Sequence, residues 1–187
     1  MRIYTGLGDD GSTGLLFGGR VTKDSALVEF AGAVDEAVAL LGVARAAASE
    51  AWPELAGELL TVQRALFVAA ADVMANPAGR DRLVPGISLM TDHLVASVEE
   101  AIDASTAERP LRTAFVVPGG TPESAALDVA RTAVRRAERR LVTVARLDVA
   151  PVSSAVLRYL NRVSDLLYVL ARRTAPEEEP LSHEATG

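Results

Sequence analysis

Apolar residues recur at helical spacing over five long stretches of this chain, separated by short runs rich in proline and glycine. The first runs from about Leu27 to Ala48. The second opens at Pro53, a residue suited to the first helical turn, and reaches about Met74. Asn76-Pro77-Ala78-Gly79 ends it, and residues 80–85 read as loop. A third helix is predicted from Ile87 to Ala104. Glu108-Arg109-Pro110 and Pro118-Gly119-Gly120 then bracket a short strand-like piece, Phe115-Val116-Val117. Thr121 is the predicted N-cap of a fourth helix, with Pro122 at its first position and Ser124 following. That helix extends to about Leu147, and Pro151 opens a fifth that ends near Arg173. Five long helices with short connections predict an all-α fold, a five-helix bundle of the ferritin-like up-and-down type.

Both ends break the periodicity. Residues 1–24 are irregular and carry Gly6, Gly8, Gly11, Gly14, Gly18 and Gly19. Residues 176–187 begin Pro176-Glu177-Glu178-Glu179-Pro180, lack an apolar pattern, and are predicted to be a disordered acidic tail. The expected unit is thus one helical domain over residues 1–175. Its 187 residues suffice for a substantial core.

Composition narrows the chemistry. The net charge of −6 argues against general nucleic-acid binding, though a local basic patch can still hold one small anion. The absence of cysteine removes disulfides, thiolate nucleophiles and Cys-ligated metals. No signal-peptide core and no membrane-length apolar run are present, so a soluble cytoplasmic protein without membrane partners is expected. His93 and His183 lie far apart without carboxylate or histidine company, which speaks against a histidine-based catalytic or zinc site.

The basic patch has one obvious location. Residues 131–140, Arg-Thr-Ala-Val-Arg-Arg-Ala-Glu-Arg-Arg, hold five arginines and one glutamate in an otherwise acidic chain. On a helix Arg131, Arg135 and Glu138 share a face. Like charges repel, so the cluster is either a solvated basic surface or the seat of an anion such as a triphosphate. Gly6-Leu7-Gly8-Asp9-Asp10-Gly11 matches G-x-G-x-x-G, but no strand and crossover unit surround it, so the dinucleotide reading is rejected. The glycine-rich loop can still turn backbone N–H groups toward a phosphate, with Thr5, Ser12 and Thr13 as hydroxyl donors; the alternative is a flexible arm. Arg20 and Lys23 follow as point charges for a polyphosphate or as solvated residues. Asp35 and Glu36 interrupt the apolar segment 31–43 and invite an arginine partner. Phe115 is by default a core residue. Asn161, Ser164 and Asp165 place polar groups at i, i+3 and i+4 on an apolar helix, where either another helix or a ligand must satisfy them.

Taken in order, these pieces resemble one family. Ile3-Tyr4-Thr5, Gly8-Asp9-Asp10-Gly11-Ser12-Thr13, Phe17-Gly18-Gly19-Arg20-Val21-Thr22-Lys23-Asp24, Val34-Asp35-Glu36, residues 115–120, residues 130–139 and residues 159–167 are similar to the motifs of the PduO-type ATP:cob(I)alamin adenosyltransferases. The resemblance covers residues 2–173. It implies a homotrimer with active sites between subunits, and transfer of the 5′-deoxyadenosyl group of ATP to the cobalt of cob(I)alamin with release of triphosphate. Magnesium would accompany ATP, with no protein ligands specified. The loop from Thr5 to Thr13 (Thr5, Gly6, Gly8, Asp9, Gly11, Ser12, Thr13) and Lys23 would serve the phosphates from one subunit. Arg131, Arg135, Glu138 and Asn161 would serve the nucleotide from its neighbour, with Arg135 on the triphosphate. Asp35 would pair with Arg131 across the interface. Phe115 would close the lower corrin face and exclude the axial base, and Ser164 belongs to the same corrinoid side. The implied partners beyond the substrates are an adenosylcobalamin-dependent mutase and a flavin reductase. One position departs from the pattern: a basic residue usually follows Tyr4-Thr5, and here Gly6-Leu7 stands instead. A cobalamin-binding escort or regulatory protein of the same fold is the alternative that this departure favours.

Overall fold

The computed structural model describes Tyr4, residues 6–48 and residues 51–183. Among them are five α-helices: α1 Ala26–Ala48, α2 Pro53–Val73, α3 Asp92–Glu108, α4 Pro122–Leu147 and α5 Ser154–Thr174. A 3₁₀ turn spans Pro77–Arg82. The glycine-rich segment is more regular than its sequence predicts: β1 Ser12–Gly14 and β2 Arg20–Thr22 pair antiparallel, with Thr13 opposite Val21.

The packing order follows from side-chain size. α1 lies most extensively against α4, and α4 in turn against α5. Buried alanines on both helices, Ala33, Ala37 and Ala44 on α1 with Ala130, Ala133 and Ala137 on α4, suit a close approach. α2 packs on the far side of α1, and α3 on α5. Leu41, Leu66, Leu141, Leu160, Leu167 and Leu170 are fully buried and belong to one continuous core. Tyr159 is buried with them, and burial raises its phenol above the ordinary range, so it stays neutral.

Local chemistry sets the helix starts. Thr121 accepts from the Ser124 amide at 3.1 Å while Ser124 Oγ accepts from the Thr121 amide at 3.0 Å, a reciprocal cap of the kind the sequence predicts. Ser153 caps α5 through Val156 N–H. The third helix differs: it begins at Asp92, not Ile87. The Met90 amide donates to the buried Asp72 carboxylate at 3.0 Å, which holds residue 90 outside a helix, and Thr91 then caps. Asp72 is compensated by Arg80 at 2.6 Å.

Residues 176–183 of the acidic tail lie against the body of the fold. Val117 N–H donates to Pro180 O at 2.7 Å and Ser182 N–H to Phe115 O at 2.9 Å, so the strand-like piece 115–117 finds its partner in the tail. Glu179 is buried and pairs with Arg172 at 3.2 Å. An ion pair and backbone bonds supply what apolar periodicity did not.

Candidate functional site

The arginine run divides between two faces of α4. Arg136 and Arg140 turn toward α1, where they pair with Glu36 and Glu29. These half-exposed pairs fasten two helices and are each worth about 0–1 kcal/mol. Arg131 and Arg135 turn the other way, into a cleft of about 650 Å³ between α3, α4 and α5. Phe115, Ser164, Tyr168 and Arg162 line the same cleft. Two of the five arginines therefore fasten α4 to α1, and two face the cleft.

Charge in this cleft is held by buried carboxylates. Arg131 Nε donates to Asp128 Oδ1 at 3.2 Å, and the other Asp128 oxygen accepts from Arg172. Both guanidinium groups lie over Tyr168, 5.9 and 5.4 Å from its ring centroid. Arg135 is exposed and carries no such anchor among the ion pairs of the described residues. Glu138 accepts from Asn161 Nδ2 at 3.2 Å, so the two predicted nucleotide residues clasp α4 to α5. Ser164, buried, donates its hydroxyl to Asn161 O at 2.9 Å. Phe115 is 82% exposed, which removes the default core role.

The glycine-rich loop is built differently. Gly6 has φ +72° and Gly11 φ +80°, values that suit glycine. The Asp9 amide donates to Gly6 O and the Gly11 amide to Gly8 O, each at 3.2 Å. Asp10 accepts from the Ser12 amide at 2.9 Å and from Ser12 Oγ at 2.7 Å. Those two bonds, the side-chain one first, hold the Asp10 carboxyl below its ordinary value of 3.8, and Arg20 adds to the effect. Lys23 Nζ donates to Gly8 O at 2.8 Å, while Arg20 donates to Leu7 O and Ser12 Oγ. Several amides and both cations of this loop are thus spent inside it. Thr5 lies outside the described residues.

The two sets of predicted residues do not meet within one chain. Thr13 and Asp35 line a cleft between α1 and α2 with the half-exposed Phe67, and Lys23 lines another beside Glu36 and Arg136. None of Thr13, Lys23 and Asp35 lines the cleft of Arg131, Arg135 and Phe115. Asp35 is exposed, and the carboxylate that Arg131 meets in its own subunit is Asp128. Sequence reasoning missed Asp128, Tyr168, Arg162 and Arg172. Asp128 stood three residues before Arg131, and Tyr168 four after Ser164, so helical spacing could have drawn both in.

Fold and cleft together define a helical protein with guanidinium groups ranged beside an aromatic-edged hollow, and a separate glycine-rich loop facing elsewhere. The chain belongs to the cobalamin adenosyltransferase family, whose sequence model matches residues 3–174. It is 40% identical over 174 residues to the corrinoid adenosyltransferase of Bacillus subtilis (strain 168), covering 92% of this chain and 86% of that one. It is 41% identical over 183 residues to the corrinoid adenosyltransferase of Mycobacterium bovis, covering 96% and 92%. A PduO-type ATP:corrinoid adenosyltransferase variant from Lactobacillus reuteri, solved with cobalamin and ATP, superposes with a TM-score of 0.85 at 31% identity, covering 99% of this chain and 97% of that one.

Proposed function

We propose that this chain works as an ATP:corrinoid adenosyltransferase whose site is completed between two copies, one giving the glycine-rich loop and the other the arginine cleft. The reaction itself, ATP-dependent adenosylation of cobalamin, is that of the enzymes it matches at 40% identity and of the similar solved structure. The observation that carries the split reading is the division just described. The loop with Lys23 and Asp35 opens onto clefts between α1 and its neighbours, while Arg131, Arg135 and Phe115 share a different one. A closed ring of three copies satisfies such a head-to-tail contact.

Cob(I)alamin is itself the nucleophile. Its cobalt attacks C5′ of ATP, the Co–C bond forms, the C5′–O bond breaks and triphosphate departs. The protein must hold C5′ near cobalt and stabilise the charge that gathers on the leaving group. Arg135, exposed and unanchored, is the residue for the triphosphate. Arg131, set by Asp128, orients the nucleotide, and Asp35 of the adjoining copy approaches it. Lys23 and the loop hydroxyls Thr5, Ser12 and Thr13, with the loop amides, serve the remaining phosphates. Phe115 covers the lower corrin face, so the axial base leaves and Co(II) is more easily reduced. Magnesium is carried in with ATP, with no protein ligands specified. Among the described residues no helix is long and apolar enough to cross a membrane. A cytoplasmic setting, a reductase that supplies Co(I) and a mutase that consumes the product complete the reading.

The escort alternative rests on Gly6-Leu7, since a missing charge-assisted hydrogen bond removes roughly 1.5–3 kcal/mol of phosphate binding. Anaerobic incubation with ATP, Mg²⁺ and reduced cob(I)alamin separates the two. Adenosylcobalamin and triphosphate together, with neither formed by Arg135→Ala, support the enzyme. Corrinoid binding without turnover supports the escort.

A further inference from the structure

We infer that the C-terminal segment 176–183 is a positioning element of the active site: Glu179 sets the charge balance that fixes Arg131, and the tail backbone aims Phe115. The inference rests on the roles proposed above for those two residues.

Glu179 is 7% exposed, although its sequence context is that of a solvated tail. A buried carboxylate requires a cation. Arg172 supplies it at 3.2 Å and is itself buried. Arg172 also binds one oxygen of Asp128, whose other oxygen accepts from Arg131. The series Glu179, Arg172, Asp128, Arg131 alternates in sign and balances, two charges against two. Without the Glu179 charge, one carboxylate must serve two guanidinium groups. Arg172 is the more deeply buried, with 8% of its side chain exposed against 26% for Arg131, so its attraction to Asp128 is less screened by water. Asp128 then turns to Arg172, and Arg131 loses the contact that sets it in the cleft.

The same segment brackets Phe115. The side chain is exposed and has little packing to orient it, so the backbone must aim it. Val117 N–H to Pro180 O and Ser182 N–H to Phe115 O clamp that backbone on either side of Val116. The start of the tail is pinned as well. Arg109 donates to Ala175 O at 2.6 Å and to Pro176 O at 2.7 Å. Gly120 passes so close that a Cβ there would stand 2.6 Å from Pro176 Cδ. A strap fixed at both ends thus holds the backbone of Phe115 directly and reaches Arg131 through Arg172 and Asp128.

Two full-length variants test this, with parental turnover measured alongside so that failure of the functional reading shows in the parent. Glu179→Gln keeps the shape and removes the charge. It should raise the ATP KM about tenfold, with Glu179→Asp restoring part of the loss. Ser182→Pro removes one N–H at an exposed residue and leaves the ion pairs intact. It should weaken the base-off cob(II)alamin signature formed with ATP and speed amide exchange at residues 115–117, with thermal stability near that of the parent. Should Glu179→Gln fold poorly, Glu179→Asp, which keeps the charge and lengthens the pair, reads the ATP side by its KM, and a parental KM there would overturn that half; Ser182→Pro reads the corrin side. A parental ATP KM in a folded Glu179→Gln, or a parental corrinoid spectrum and exchange pattern in Ser182→Pro, would overturn the inference.

Discussion

The arginine cleft and the glycine-rich loop are both rich in polar donors, yet they are prepared for a ligand in opposite ways. In the cleft Arg131 is set by a buried carboxylate and a tyrosine ring, on two long helices whose inner faces are fully buried. Arg131, proposed to orient the nucleotide, is thus set before any substrate arrives, while the neighbouring Arg135 stands exposed at the cleft. In the loop Lys23 and Arg20 are bonded to the loop's own carbonyl and hydroxyl oxygens, and the chain is largely exposed. A phosphate there must first win these donors away. Preorganised charge supports catalysis, because nothing reorganises at the moment of reaction; exchangeable donors support entry and release.

Substitutions can break that contrast, and the largest effect belongs to the cleft. Arg135→Ala should lower kcat by about a hundred- to a thousandfold while the protein stays folded, as read by turnover and circular dichroism. Unchanged kcat would end its assignment to the triphosphate. Lys23→Ala, in the exchangeable half, should act on binding: an apparent ATP KM about ten- to a hundredfold higher with kcat nearly kept. A loss confined to kcat would make the loop part of the preorganised machinery after all. Phe115→Ala should abolish the base-off corrinoid spectrum yet change stability by less than about 0.5 kcal/mol, since the ring is 82% exposed. Gly6→Arg adds back a cation but forces a side chain onto φ +72°, which costs roughly 1–2 kcal/mol. ATP KM should therefore fall by less than about tenfold, and a larger gain would show that the loop relaxes freely. The smallest effect is on pH. Asp10 titrates below its ordinary 3.8, so its hold on Ser12 is present at neutral pH and is lost as pH falls through the lowered value. The chemical shift of the Ser12 amide should be flat across neutral pH and move only in strong acid.

Helices and arginine row were legible because both are periodic. Thr121-Pro122 with Ser124 announced α4, and Arg131 with Arg135 announced a charged face. What escaped depends on contacts distant in sequence. Asp72 pins Met90 across 18 positions and delays α3. Arg136 and Arg140 stood in the same run without a predicted role, and only the structure shows Glu36 and Glu29 on α1 pairing with them. Glu179 gave no sign of burial, since a single acid in an aperiodic tail is indistinguishable from its solvated neighbours Glu177 and Glu178. Tertiary neighbours, not local pattern, decide which members of a charge cluster are left for a ligand.

The proposed division of the site between copies has a genetic consequence. A chain disabled in its loop and a chain disabled in its cleft carry lesions that fall on different halves. Lys23→Ala and Arg135→Ala subunits, each nearly inactive under limiting ATP, would form mixed rings in which about a quarter of the junctions pair two unblemished halves. Coexpression would then return activity that neither parent shows, whereas two lesions on the same half would never complement.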